Sequence, residues 1–273
     1  MKVRVKFTKK DAMCYIGHLD VMRYFQKVIR RAEIPIAFSS GFSPHMIMSF
    51  ASPLGLGVTS EGEYFDIELT ELLSSKEAVA RMNATSAQGI EVLSFRQIPS
   101  EKKHSGMTIL AGASYLVTCP SSCFARLESE ALVTGEDSNI TLASFKENLI
   151  EALDSFMAQP EINILKETKR SVAMVDIKPL IYEIKVRESF DVGGQVVECE
   201  EHSSFAIEMT LAAGSKENLK PNLVMKAFCS FLEKDYEEFA YQYHRLEMYA
   251  NIEDGEGLRL VSLESLGEEI GDS

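Results

Sequence analysis

Two histidines and three carboxylates in the first quarter of the chain are the residues best suited to chemistry. His18 opens the stretch His-Leu-Asp-Val-Met-Arg, and His45 closes Gly41-Phe42-Ser43-Pro44-His45. Imidazole titrates near neutrality, so two histidines that meet can work as an acid–base pair or hold a phosphate. Each can instead hydrogen-bond a loop carbonyl and fix a turn. Glu61, Glu63 and Asp66 fall within six positions, and in an extended segment Glu61 and Glu63 share a side. With a histidine they could ligate a divalent metal; the plainer expectation is that they pair with the Arg23–Arg31 face of a neighbouring helix. No resident metal or cofactor is assigned on these residues.

The five cysteines, Cys14, Cys119, Cys123, Cys199 and Cys229, are odd in number and mostly far apart. This is not the spacing of a disulfide framework, and a reducing, cytoplasmic setting is expected. Cys119 and Cys123 have the first interval of a C-x3-C-x2-C iron–sulfur site, but Arg126 stands where the third thiolate belongs. Two thiolates are too few to hold such a cluster. No export leader is expected, since the charged start has no apolar run behind it. No apolar stretch is long enough for a membrane span.

Several elements must position these groups. Val3, Val5 and Phe7 alternate with Arg4 and Lys6, which predicts a strand over 2–8 with one face buried. Leu19, Met22, Phe25, Ile29 and Ala32 recur at helical spacing, and Arg23, Lys27, Arg30 and Arg31 project from the other side. His18 then lies at the helix start, where the dipole favours an anion and opposes an imidazolium. A second strand is expected at 46–51 and a third around Phe65, Ile67 and Leu69. A helix follows, opened by the capping-box spacing of Ser74 and Glu77, and a fourth strand at 90–97. This β-α-β-β-α-β order is that of a ferredoxin-like unit. Residues 99–112 read as a linker. A second unit over 113–250 repeats the order more faintly, with a helix at 141–158, strands near 179–187 and 204–212, a helix at 218–233 and a strand at 239–249; residues 121–140 and 160–176 lack periodicity. The expected fold is therefore α+β, two tandem ferredoxin-like units with antiparallel sheets over 1–98 and 113–250. Residues 251–273, rich in acids and glycine, are expected to form a flexible tail.

Net charge is −13, yet residues 1–31 hold nine Lys/Arg against Asp11 and Asp20. That basic island, with Asp20, Arg23, Lys27, Arg30 and Arg31 on the helix, is a footprint for RNA or for an acidic protein surface.

The block Phe7-Thr8-Lys9, Tyr15-Ile16-Gly17-His18-Leu19-Asp20, Arg30-Arg31-Ala32, Gly41-Phe42-Ser43-Pro44-His45, Pro53-Leu54 and Gly57 through Asp66 resembles the radical-SAM-linked family of unknown function. Fainter echoes occur at Asp176-Ile177-Lys178-Pro179, Ala212-Ala213-Gly214-Ser215 and His244-Arg245-Leu246-Glu247-Met248-Tyr249. Met46 and Ile47 replace the Pro and basic residue that usually follow the family's Gly-Phe-x-Pro-His, which removes any anion contact made by that basic residue. The resemblance implies a radical SAM enzyme as partner, with this chain as a non-catalytic accessory or substrate-presenting protein, in RNA or ribosome-related modification among other settings. An RNA-binding or RNA-processing protein using the basic helix with His18 and His45 is the alternative, and a metal-dependent hydrolase the third. Tyr241, Tyr243, His244, Arg245 and Tyr249 read as an ordinary final strand or as one wall of a groove.

Overall fold

The computed structural model describes residues 1–119, 142–167, 172–192, 195–198, 205–252, 257 and 259–271. It is an α+β protein whose strand pairing is mostly antiparallel. Contacts divide it into two compact units, one of residues 1–113, 213–216 and 244–273, the other of 114–212 and 217–243.

In the first unit, β1 (Lys2–Lys9) lies between β4 (Val92–Ile98) and β3 (Thr59–Glu68), and β3 also takes β2 (Met48–Phe50) on its far edge. α1 (His18–Arg31) and α2 (Ser75–Ala84) join these strands in the expected order. The buried stripe of α1 is Val21, Phe25, Val28, Ile29 and Ala32, and Leu19 is 59% exposed. Spacings of four, three, one and three residues follow the 3.6-residue turn more closely than the stripe expected from Leu19, so the helix is rotated toward Val21. Phe25 meets Phe7 at 4.5 Å and Phe65 at 4.7 Å between ring centroids, and this aromatic cluster anchors the helix. Ser74 caps α2 by accepting a hydrogen bond from the Glu77 amide at 3.3 Å. The Glu77 carboxylate turns to Arg81 instead of completing a capping box.

Three expectations are corrected here. β1 is covered on both faces: Val3, Val5 and Phe7 face the helices, and Arg4 on the other side is 2% exposed. The segment expected as a linker holds a 3-10 turn (Lys102–His104) and α3 (Gly106–Ile109), tied down by Arg4 Nη2 donating to the His104 carbonyl and by the Gly106 amide donating to Asp66. The C-terminal segment is not a free tail. β13 (Leu260–Ser262) pairs with β12 (Gln242–Asn251), and β14 (Glu268–Glu269) pairs with β4. Leu263 and Ile270 are buried, and Ser75 exchanges two hydrogen bonds with Ile270. Acid content suggested solvation, but two acids of this segment meet basic residues of β1 and β4: Lys6 reaches Glu264 at 3.0 Å and Arg96 reaches Glu269 at 3.5 Å.

In the second unit, β11 (Phe205–Ala212) lies between β5 (Leu110–Cys119) and β8 (Ile181–Arg187). α4 (Leu142–Ala158) packs on α5 (Pro221–Phe231) through Phe156 and Phe228, 5.3 Å apart. Part of the stretch without periodicity is an antiparallel hairpin of β6 (Asn163–Glu167) and β7 (Val172–Asp176); a second hairpin joins β9 (Ser189–Val192) to β10 (Gln195–Glu198). Cys123, Arg126 and Cys199 lie outside the described residues, as does the Cys119 side chain.

Candidate functional site

The odd-numbered side chains of β1 run Val3, Val5, Phe7, Lys9 along the helix-facing side, so the apolar row ends in a cation. Lys9 is 2% exposed. Its Nζ donates to the Cys14 carbonyl at 3.3 Å and, among the described residues, forms no ion pair. Opposite, the β1–β3 register shifts between Phe7↔Glu63 and Lys9↔Ser60, placing one extra residue on β3. That bulge puts Ser60 and Glu63 within hydrogen-bonding reach of each other on the Lys9 side. Glu63 is buried and accepts a 2.9 Å hydrogen bond from Arg245 Nη1. Arg245 comes from β12, which runs parallel to β3 through His244↔Thr59 and Arg245↔Ser60. The close approach depends on Gly62, where a Cβ would stand 2.7 Å from the backbone of Leu246 and Glu247.

Lys9, Glu63, His18, Phe7, Val21, Phe50, Ser52 and Leu54 line a small recess with room for about one water molecule. His18 is the first residue of α1, as expected, and its ring stands edge-on to Phe50 at 5.2 Å. It makes no hydrogen bond among the described residues, and burial lowers its pKa, leaving a neutral imidazole at pH 7. Burial likewise pulls the Lys9 ammonium down, partly opposed by Glu63, and pushes the Glu63 carboxyl up against the pull of Arg245.

The other expected site residues go elsewhere. His45 sits exposed on the 39–45 loop, its Nδ1 2.8 Å from Ser39 Oγ and its amide donating to the same oxygen; this is the turn-fixing role. Gly41, with φ of 113°, Phe42 and Pro44 are exposed on the same loop. The carboxylates do not converge, and none of them forms an ion pair with the Arg23–Arg31 face. Glu61 pairs with Lys10 at 2.6 Å, Glu63 with Arg245, and Asp66, on the opposite face of β3 from Glu63, with Arg4 at 2.9 Å. Among the described residues no group of three His, Cys, Asp or Glu is placed to hold a metal ion. Arg23 pairs with Asp20, whereas Lys27, Arg30 and Arg31 are exposed and form no ion pair among the described residues.

Lys9 and Arg245 were absent from the expected site. The signal for Lys9 lay in the alternation itself, a charge at the next position of an apolar row. Arg245 stood in the His244–Tyr249 echo, with nothing to say which strand it would reach.

Fold and recess together define an α+β protein with a buried cation at the wall of a small cavity, and no described helix is long and apolar enough to cross a membrane. Residues 2–221 match the family described as an uncharacterized protein conserved in bacteria (DUF2344), and the chain belongs to that family. No curated protein matches it.

Proposed function

We propose that the chain is a non-catalytic accessory or substrate-presenting protein that works in the cytoplasm beside a radical SAM enzyme. The observation behind the binding half of this reading is the Lys9 recess: a buried cation with one long hydrogen bond, walled by apolar side chains, is built to hold a group. The expected chemical groups are scattered, with His45 spent on a turn and each carboxylate on a different cation. The radical SAM half rests on the resemblance of the N-terminal block. Two tandem ferredoxin-like units are the fold we attach to this reading, supported in the first unit by the strand order β4-β1-β3-β2. The test is co-purification of tagged protein from cells that contain a radical SAM enzyme. Recovery of that enzyme is expected, and its absence from every eluate sinks the partnership.

A second reading, RNA binding by the outer face of α1, is favoured by the exposed Lys27, Arg30 and Arg31. RNA in the same eluates, displaced by salt and lost on Arg30→Ala/Arg31→Ala, would support it.

A further inference from the structure

We infer that the recess is a subsite for a monovalent carboxylate, the acidic end of a small ligand, which Lys9 Nζ engages as the charge partner. This rests on the binding reading above and gives it a ligand class.

An ammonium carries three donors, and Lys9 spends one on a carbonyl at 3.3 Å. Burying a charge is tolerated when it is paired and hydrogen-bonded, yet Lys9 is 2% exposed and has no carboxylate within ion-pair distance among the described residues. Glu63, the nearest acid on its face, is engaged by Arg245 and Ser60. The position therefore calls for an acceptor that the described chain does not supply. Phe7, Val21, Phe50 and Leu54 keep the surroundings apolar, which strengthens any charge pair formed there. The recess has room for about one water-sized atom, so a single carboxylate oxygen enters it, and Glu63 at its wall disfavours a second negative charge, which selects a carboxylate over a phosphate dianion. His18, neutral and without a hydrogen bond among the described residues, adds one donor or acceptor to the same wall. An anion seated against Lys9 would also offset the effect of burial on its ammonium.

The experiment uses the full chain at constant ionic strength, titrated with sodium formate, acetate, phosphate or chloride and followed by thermal unfolding and by NMR of the lysine Cε–Hε groups. Acetate and formate are expected to raise the unfolding midpoint beyond chloride. They should also move the Lys9 pKa upward, and Lys9→Met should weaken the effect at least tenfold while Lys76→Ala, at an exposed lysine, leaves it unchanged. An acetate effect no greater than that of chloride, an undiminished effect in Lys9→Met, or tighter binding of phosphate each overturns the proposal. If Lys9→Met does not fold, the wild-type titration decides alone: a Lys9 pKa indifferent to acetate overturns it. Both readouts need only the isolated chain. Recovery of a radical SAM enzyme without acetate binding therefore removes the subsite alone, and acetate binding without that recovery removes the partnership alone.

Discussion

Arg4 and Arg245 come from opposite ends of the sequence, yet each closes on a carboxylate of β3. Both pairs are nearly inaccessible, with Arg245 5% and Glu63 4% exposed. Breaking such a pair leaves a charge in a medium that solvates it poorly, so Arg245→Met should cost about 3–5 kcal/mol by urea denaturation. Glu63→Gln/Arg245→Met should recover much of that, because the orphaned charge is gone; a double variant as unstable as the single one would show that Arg245 acts through packing. A different residue contributes to the pH response. His244 Nδ1 lies 2.7 Å from Thr59 Oγ1, and burial lowers the pKa of this histidine from its ordinary 6.5. The unfolded chain takes up a proton near pH 6.5, whereas the folded chain does so only at lower pH. This contribution is therefore full above 6.5 and falls as the pH drops below it. His18 has the same sign. Denaturation at pH 7.5 and 5.5 should show a smaller loss of stability in His244→Gln than in the wild type.

At the scale of elements, the C-terminal segment gives the sharpest contrast between composition and packing. Residues 260–270 cover the β4 edge, supply Glu264 to Lys6, and give Arg4 the Leu263 carbonyl at 3.2 Å. Deleting 253–273 should lower the unfolding free energy by several kcal/mol and promote self-association through the uncovered edge of β4, measured by denaturation and light scattering. A solvated tail would change stability by about 0.5 kcal/mol or less. The sequence made β1, α1, α2 and β4 legible because each carries its own period or cap. It did not reveal this segment, since Leu260, Val261, Leu263 and Ile270 are too few and too interrupted by Glu and Gly to set a period. The recess was half legible for the same reason. His18 and Glu63 sit in a dense motif, but the bulge that brings Ser60 and Glu63 together leaves no local trace, and the arrival of Arg245 is a long-range pairing.

For the molecule as a whole, the uneven charge is a statement about partners. The chain carries −13 overall, and the outer face of α1, where Lys27, Arg30 and Arg31 are exposed, is the surface we expect a polyanion to approach. If RNA binds there, affinity should fall steeply between about 50 and 200 mM salt, and Arg30→Ala/Arg31→Ala should flatten that slope by about two phosphate contacts. A salt-independent association measured by fluorescence anisotropy would place the contact elsewhere.

The first unit is built from both ends of the chain, with residues 114–212 and 217–243 belonging to the other unit. During synthesis, β1 through β4 leave the ribosome long before Arg245 and Glu264 exist. At roughly 5–20 residues per second, the wait between residues 113 and 244 is on the order of ten seconds. Through that interval Glu63 lacks its guanidinium, Lys6 lacks Glu247 and Glu264, and the edge of β4 is bare. The nascent first unit must therefore stay open, or be held by another molecule, until residues 244–270 have been made.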